Sequence, residues 1–235
     1  MEGKNNHKAV AFITREGIHF FSTATKNVTS INFDQKVVRD LDVIDSRGVE
    51  IQVQKFIDQN KLTPSLIIFV FSEAATFFLD VSVADISKID AIKEDFVNTV
   101  PFETLLTKSY NTKNGIRVVS INERLFREIA NGFESRGFLS VGVIPTFVLG
   151  DKGAALVQLD SVSGTSMINQ FNSLKEQSFF GAHSIEKAEE ESEGMKKPVV
   201  EKSFKITPKV IGLGFVFIVL IIVFIVLLVN QSNAS

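Results

Sequence analysis

The segment SLIIFVFS, residues Ser65 to Ser72, decides the fold class that the sequence predicts. It is a continuous apolar run of strand length, and it follows directly after Pro64. Strands that are covered on both faces carry continuous apolar runs, whereas half-exposed strands alternate apolar and polar residues. The run therefore predicts a strand buried on both faces, within an α+β fold whose sheet is mixed and of the α/β type.

Three more strands are predicted on the amino-terminal side of this segment, joined by short turns. They cover Lys8–Ile13, Ile18–Thr23 and Val28–Phe33. Asp45 then offers an N-cap for a helix that ends before Pro64. The apolar face of this helix consists of Val49, Val53, Phe56 and Ile57.

On the carboxyl-terminal side, Thr76–Val81 is predicted as a strand that pairs with the buried strand. A helix with an acidic start follows over Asp85–Asn98. The segments Leu105–Tyr110 and Ile116–Ile121 then predict a hairpin, because Asn114 and Gly115 are a favoured turn pair.

A strongly amphipathic helix is predicted after the hairpin, with Asn122 as its N-cap and Gly137 at its end. Its apolar face consists of Leu125, Phe126, Ile129, Ala130 and Phe133. Phe138–Val148 is predicted as a returning strand that Pro145 interrupts, and Thr165–Gln177 as a last helix.

The composition of this 235-residue chain excludes several classes of function. Its formal net charge of −2 gives no basic field that would favour nucleic acid as a partner. It has no cysteine, which removes disulfides, thiolate nucleophiles and cysteine-bound zinc. Its histidines, His7, His19 and His183, are too scattered to supply converging ligands. We therefore predict no metal site.

The longest apolar segment runs from Val210 to Val229 and contains no charged or polar side chain. A helix of this length, at about 1.5 Å per residue, reaches about 30 Å, the thickness of the hydrocarbon layer. A helix in a soluble core would normally carry a polar stripe. We therefore predict a transmembrane helix over residues 206–230. The residues that mark this anchor are Val210, Gly212, Gly214, Phe215, Phe217, Phe224 and Val229.

Lysines before this segment predict its orientation in the cytoplasmic membrane. They are Lys196, Lys197, Lys202, Lys205 and Lys209, and the residues after Val229 contain no Lys or Arg. Positive charge stays on the cytoplasmic side, so we expect a single-pass protein with its amino terminus in the cytoplasm. The first residues lack an apolar stretch, so no signal peptide is predicted.

The chain is thus predicted to have four parts. Residues 1–180 form a cytoplasmic domain, 181–205 a charged linker, 206–230 the transmembrane helix and 231–235 a short extracytoplasmic tail. Glutamates occupy the first half of the linker and lysines the second half. This pattern favours a solvated tether. Its basic half is also suited to lie near anionic lipid headgroups, and the two interpretations are compatible.

The order of elements over residues 8–150 resembles the type IV pilus assembly protein PilM and the cytoplasmic part of the type II secretion protein GspL. The matching segments are PSLIIFVFSEAATFFLDV, the corner VPFE, the hairpin LLTKSYNTKNGIRVVSI, the helix NERLFREIANGFESRGF and the strand VGVIPT. The resemblance implies an actin-like (RNase H-like) fold with the inserted subdomain of that family at about 62–140. A generic α+β domain with the same periodicities is the alternative.

An actin-like fold normally closes two similar halves on a nucleotide, and too few residues follow Gly150 to form a second half before the linker. The resemblance therefore implies a truncated fold, the first half only.

Two turns are candidates for phosphate binding. Thr14–Gly17 lies where nucleotide-binding relatives hold phosphate, but no Asp precedes it and Glu16 would repel an anion. Gly17 is interpreted instead as the left-handed residue of a tight turn. Asp160–Thr165 resembles a phosphate loop weakly, because Val162 stands where a glycine is needed. We therefore predict no cofactor and no catalytic residue.

The resemblance implies a non-catalytic scaffold of a type IV pilus or type II secretion-like machine, which links inner-membrane components to the assembly ATPase. The implied partners are a PilN-like inner-membrane protein, that ATPase and the lipid bilayer, with a homodimer as a further option. Candidate partner contacts near sheet edges are Ile18, Phe20, Phe77 and Leu79. Two alternatives stay open: a tail-anchored cytoplasmic adaptor unrelated to pili, and a degenerate actin-like ATPase completed by another chain.

Overall fold

This computed structural model describes residues 7–180, which form ten strands, six helices and three 3-10 turns. The strands are β1 (Lys8–Ile13), β2 (Gly17–Ser22), β3 (Thr29–Asn32), β4 (Val38–Arg39), β5 (Asp42–Val43), β6 (Leu66–Phe71), β7 (Phe77–Ser82), β8 (Leu105–Thr112), β9 (Gly115–Asn122) and β10 (Leu139–Pro145). The helices are α1 (Ser46–Gln59), α2 (Ile89–Thr99), α3 (Glu123–Glu134), α4 (Asp151–Ala154), α5 (Ser161–Asn169) and α6 (Phe171–Glu176). Three 3-10 turns cover Glu73–Ala75, Val83–Lys88 and Thr146–Leu149.

The larger sheet has five strands in the order β10-β6-β1-β2-β3, and we call it the first sheet. The strands β1, β2 and β3 form an antiparallel meander, whereas β6 runs parallel to both β1 and β10. The predicted amino-terminal strands and the buried strand are confirmed. The sheet is mixed, as the sequence predicts.

Helices cover the first sheet on both faces, which is why β6 is apolar at every position. On β6, Ile67, Phe69 and Phe71 point into one core, which α1 and α3 close. Ile68 and Val70 point into the other core, which α5 and α6 close. Since successive side chains of a strand point to opposite faces, a strand between two helical layers needs apolar residues at every position.

The helices α1 and α3 begin at the capping residues that the sequence predicts. Asp45 accepts a hydrogen bond from the backbone N–H of Gly48, and Asn122 accepts one from that of Leu125. Each cap satisfies one of the donors that a helix start leaves unpaired. The predicted apolar faces of both helices are buried, and Gly137 has a φ of 84° just after α3.

The second sheet has three strands in the order β7-β9-β8. The predicted pairing of Thr76–Val81 with the buried strand is therefore wrong, because β7 pairs with β9. Both sides of β6 are already occupied by β1 and β10, and the 3-10 turn Glu73–Ala75 leads the chain out of the first sheet. The predicted hairpin of β8 and β9 is confirmed.

Two predicted helices have different forms in the structure. The predicted Asp85–Asn98 helix is a 3-10 turn followed by α2, and α2 has no buried residue. The predicted Thr165–Gln177 helix consists of parts of α5 and α6, which are separated at Gln170 by a non-helical backbone conformation. The 3.6-residue periodicity therefore predicts where the helical segments lie, but it does not predict the break within each of them.

The predicted inserted subdomain, about 62–140, contains elements of both sheets. Its β6 and α3 pack in the first core, whereas β7, β8 and β9 form the second sheet, and α2 lies between β7 and β8 in the chain. Whether residues 62–140 form a separate subdomain stays a prediction. The linker, the transmembrane helix over 206–230 and the tail lie outside the described residues. Among residues 7–180, no helix has the length and apolar character needed to cross a membrane.

Candidate functional site

A cleft of about 400 Å³ opens beside the second sheet, and it is the candidate functional site. Its lining comes from the turn after β6, from β7 and β9, and from the segment after β10. The lining residues are Glu73, Thr76, Phe78, Arg117, Val119, Pro145, Thr146, Phe147, Gly150 and Asp151. The cleft therefore lies between the second sheet and the place where strands of the first sheet end.

The cleft lies at the carboxyl ends of parallel strands. Phe71 at the end of β6 pairs with Pro145 at the end of β10, and the chain continues from both into the cleft lining. Ligands of α/β proteins bind in crevices outside the carboxyl ends of strands, because the connections diverge there. The cleft thus lies where ligand sites of α/β proteins are commonly found.

Arg117 on β9 is the main polar group of the cleft. Its Nε donates to Asp80 Oδ1 at 2.7 Å and its Nη2 donates to Asp80 Oδ2 at 2.6 Å. The guanidinium also lies 4.5 Å from the ring centre of Phe78 and 5.1 Å from that of Phe147. The hydrogen bond from Arg117 holds the pKa of Asp80 below its usual value. These contacts fix the guanidinium between two aromatic rings.

One face of the second sheet supplies both the cleft and a contact with the rest of the domain. Because Phe78 pairs with Val119 and Asp80 pairs with Arg117, these side chains share a face. Lys108 and Tyr110 of β8 pair with Val119 and Arg117, so they lie on the same face. We call this face the cleft face; its β7 side is open and its β8 side is covered.

The covered side contacts the end of α6. Lys108 Nζ donates to the carbonyls of Ser178 at 2.6 Å and Gln177 at 3.2 Å, and the Tyr110 hydroxyl donates to Gln177 at 3.1 Å. The Gln177 carbonyl is one that the end of α6 leaves unpaired, and the Ser178 carbonyl follows directly after it. Burial lowers the pKa of Lys108 and raises that of Tyr110. We call residues 177–180 the clasp.

The clasp also contacts the first sheet. The N–H of Val143 donates to Ser178 Oγ at 3.0 Å, and the N–H of Phe179 donates to the Val143 carbonyl at 2.9 Å. The ring of Phe180 lies 5.6 Å from that of Phe126 on α3. The clasp therefore covers part of the β10 edge and joins the two sheets.

The predicted partner contacts on β7 lie beside the cleft. Phe77 and Leu79 are half-buried on the face opposite the cleft face, and the Phe77 ring packs at 5.6 Å against Phe102. Phe78 lies between them on the cleft face and is 41% exposed. Within the described residues, β7 pairs on one side only, so its other side is an open edge.

The predicted contacts on β2 lie in the core. Ile18 and Phe20 are fully buried, and Phe20 packs against Phe133 and Phe138. The strand is not at an edge, because β1 and β3 flank it. Their side chains are therefore not accessible to a partner in this structure.

The turn between β1 and β2 uses its own backbone donors. Thr14 Oγ1 accepts from the N–H groups of Glu16 and Gly17, and the Thr14 N–H donates to the Gly17 carbonyl. Gly17 does not have a positive φ, so its predicted left-handed conformation is wrong. Glycine is needed there because an added Cβ would lie 1.9 Å from the Ile31 carbonyl oxygen.

The second candidate phosphate loop is the start of α5. Asp160 Oδ1 accepts from the N–H of Ser163 at 2.7 Å, and this hydrogen bond lowers the pKa of Asp160. The Gly164 N–H donates to the Asp160 carbonyl. The aspartate is thus a helix cap. Within residues 7–180, no cluster of His, Cys, Asp or Glu is suited to hold a metal ion.

The sequence predictions did not include Arg117, Phe147 or the clasp contacts of Lys108 and Tyr110. One signal was present for Arg117. An opposite charge, Asp80, stands on another strand, and such cross-strand pairs are stabilising. Recognising the pair requires the β7–β9 register, which the sequence did not reveal.

Comparisons with known proteins give structural neighbours and no sequence relative. Neither protein-family models nor curated proteins match the chain. Similar solved structures include a PilM-PilN type IV pilus biogenesis complex, at 10% identity and a TM-score of 0.39, covering 59% of this chain and 47% of that one. The cytoplasmic domain of EpsL, an inner-membrane component of the Vibrio cholerae type II secretion system, is also similar. It has 10% identity and a TM-score of 0.37, and the match covers 60% of this chain and 58% of that one.

A protein of actin-like ATPase fold and unknown function from Bacteroides thetaiotaomicron is a third similar structure, at 8% identity and a TM-score of 0.38. The match covers 60% of this chain and 52% of that one. The chain thus spans about half the length of the solved chains it matches. These neighbours are of the kinds that the sequence resemblance names.

Proposed function

We propose that this protein is a membrane-anchored, non-catalytic scaffold of a type IV pilus or type II secretion-like assembly machine. Its cytoplasmic domain binds a short segment of an inner-membrane partner, of the PilN-like class, in the cleft. Through this contact and a second one to the assembly ATPase, it links the membrane components to the motor. The choice of machine rests on the sequence resemblance.

The observation that carries the proposal is the cleft beside the open edge of β7. Its walls are apolar at Phe78, Val119 and Phe147, and Arg117 provides a fixed polar group among them. Concave sites with mainly apolar walls and few oriented polar groups are typical of binding sites. An adjacent open strand edge is typical of sites that bind peptides.

The non-catalytic part of the proposal is supported by the turn at Thr14. A phosphate needs free N–H donors, and those of Glu16 and Gly17 are already used by the Thr14 hydroxyl. Glu16 also adds a negative charge to the turn. A nucleotide would therefore have to displace an existing set of hydrogen bonds.

The membrane anchor is proposed from the uncharged segment Val210–Val229. A scaffold with its own anchor is held at the membrane surface at all times. Binding to a second membrane protein then takes place at a high effective concentration, so weak contact in the cleft is sufficient.

Affinity purification of the full-length protein from detergent-solubilised membranes tests the proposal. The bait is compared with Phe78→Ala, which alters the cleft, and with Ile51→Ala as the matched control. Ile51 is 38% exposed on α1, close to the 41% of Phe78. We expect a PilN-like membrane protein or the ATPase with the native and control baits, and less of it with Phe78→Ala.

Two outcomes contradict the proposal. If all three baits recover the same PilN-like protein equally, the cleft is not the binding site. If folded, membrane-bound bait recovers partners from no such machine, the protein is an anchored adaptor of another kind. Binding of ATP in equilibrium dialysis would instead favour the degenerate ATPase.

A further inference from the structure

The open edge of β7 is unusual for an exposed edge strand. Unpaired N–H and C=O groups at an edge invite pairing with another chain, and proteins normally protect them with lysine, proline, bulges or a covering segment. The β7 sequence FFLDVS contains neither lysine nor proline, and its pairing with β9 has no register shift. Its one charged side chain, Asp80, is paired with Arg117.

The edge of β10 shows the contrast. There the clasp contacts Val143 through Ser178 and Phe179, so part of the edge is covered by the chain itself. The β7 edge has no comparable partner among residues 7–180. One edge is therefore protected, and the other is left available beside the cleft.

The side chains on the two faces of β7 determine which side chains are favourable on a strand that pairs with it. Side chains of neighbouring strands meet on the same face, and opposite pairs contribute favourably when they match in polarity or charge. On one face an added strand would meet Phe77, Leu79 and Val81, which are all apolar. On the cleft face it would meet Phe78 and Asp80.

Charge at the cleft face favours a basic side chain on the added strand. Of the described residues that line the cleft, Glu73 and Asp151 are acidic and Arg117 is basic. Asp80 is paired with Arg117 and has 57% of its side chain exposed, and the charge of Glu73 also acts on Arg117. Arg117 donates once to each oxygen of Asp80, and a carboxylate can accept further hydrogen bonds. A cation would therefore find free acceptors.

The same charges disfavour a second copy of this chain at the edge. If two β7 strands paired in antiparallel fashion about their centre, the Asp80 side chains of the two copies would lie opposite or next to each other. Like charges at such positions destabilise a pair of strands. A different, basic segment is the better match.

We propose that the partner segment pairs with β7 as a fourth strand, with apolar residues toward Leu79 and a Lys or Arg toward Asp80 and Glu73. This inference rests on the proposed function, since it takes the cleft as the partner site. It adds the mode of binding, by main-chain hydrogen bonds, and the alternating sequence pattern of the bound segment. Main-chain pairing provides affinity, and the alternating side chains provide specificity.

The first test is a selection of random linear peptides, displayed on phage, against the full-length protein in detergent. We expect the selected peptides to alternate apolar residues with a shared Lys or Arg. They should lose binding to Phe78→Ala and keep it to Ile51→Ala.

The second test uses one selected peptide as a synthetic probe, with single backbone amides methylated in turn. A paired strand donates through every second N–H, so methylation should abolish binding at alternate positions only. In parallel, Glu73→Gln should weaken binding of the Lys-containing peptide about two- to fivefold, as expected for an exposed ion pair. Glu134→Gln on α3 is the matched control, because Glu134 is an exposed acid at a different site.

The outcomes separate this inference from the proposed function. Peptides that depend on Phe78 but tolerate methylation at every position, or that carry acidic residues, overturn strand pairing and leave the cleft as a binding site. Peptides that bind equally to the Phe78 variant overturn both. Disulfide-linked dimers of Leu79→Cys, formed without peptide, overturn the inference in favour of a second copy at the edge.

Discussion

The two sheets of this protein differ in how completely they are covered. In the first sheet, β6 is packed between two helical layers and five of its six residues are buried. In the second sheet, the central strand β9 is also largely buried, but the edge strand β7 has one buried residue, Val81, and α2 has none. The first sheet therefore holds most of the apolar surface that drives folding. The second sheet has surface available for binding.

A finer contrast exists within the second sheet. On its cleft face, the β8 side contacts the clasp through Lys108 and Tyr110, whereas the β7 side forms the open cleft. The ring of Phe147 touches both sides, since it lies 5.3 Å from Tyr110 and 5.1 Å from the Arg117 guanidinium. The covered side thus positions the second sheet, and the open side is free to bind.

The largest expected effect is in the core of the first sheet. Phe133 is fully buried, and its ring lies within 6 Å of those of Phe20, Phe69 and Phe138. We expect Phe133→Ala to lower the free energy of unfolding by about 3–5 kcal/mol, because it removes apolar contacts and leaves a cavity. Urea unfolding followed by circular dichroism measures this loss. An equal loss in Phe78→Ala would break the contrast between the sheets.

The next effect is at the covered side of the second sheet. Tyr110→Phe removes the hydroxyl that donates to the Gln177 carbonyl and leaves the ring in place. We expect a loss of about 0.5–1.5 kcal/mol. Hydrogen exchange should also become faster at the N–H of the clasp residue Phe179, which donates to the Val143 carbonyl on β10.

The matched control for this variant is Ser109→Ala, which alters an exposed residue of the same strand. It should leave exchange at Phe179 unchanged. If Tyr110→Phe also left that exchange rate unchanged, the clasp would not depend on the second sheet.

A smaller effect is expected at the open side. Phe78→Ala removes a ring that is 41% exposed and lies over the Arg117 guanidinium. We expect a loss of about 0.5–1 kcal/mol, the range for an exposed cation–π contact. The same variant should have its main effect on partner binding, so the ratio of binding loss to stability loss should be larger here than at Tyr110. The two measurements are the urea midpoint and the amount of partner recovered.

The smallest effect is a pH dependence in the first sheet. His19 on β2 packs against Phe12, and burial lowers its pKa below 6.5, although Glu16 acts in the opposite direction. Below pH 6.5 the unfolded chain therefore binds more protons at this site than the folded chain, so stability falls as the pH falls. Comparing urea midpoints at pH 7.5 and at lower pH should show a smaller decline for His19→Gln. An identical decline in both proteins would contradict this assignment.

Local patterns in the sequence predict most elements of the first sheet. The caps Asp45 and Asn122 are followed at helical spacing by apolar residues, and the helices form where both signals agree. The continuous run in β6 identifies a strand with two covered faces. Each of these features depends on residues close together in the chain, which is why sequence reasoning can find them.

The second sheet and the cleft depend on distant residues. The predicted neighbour of β7 was β6, nearest in sequence, but the actual neighbour β9 lies beyond α2 and β8. Without that register, the Asp80–Arg117 pair and the cleft face are not visible. The prediction of Ile18 and Phe20 as partner contacts failed for the same reason. Whether β2 lies at an edge depends on the strand order of the whole sheet.

The central claim is that the open side of the second sheet binds a segment of an inner-membrane partner. Site-specific photocrosslinking in cells tests it most directly, with a benzoylphenylalanine residue placed at position 78 or, as the control, at position 51. We predict a crosslink from position 78 to the cytoplasmic segment of a PilN-like membrane protein, and none from position 51. Crosslinks to that protein from position 51 alone, or equally from both positions, would contradict the account.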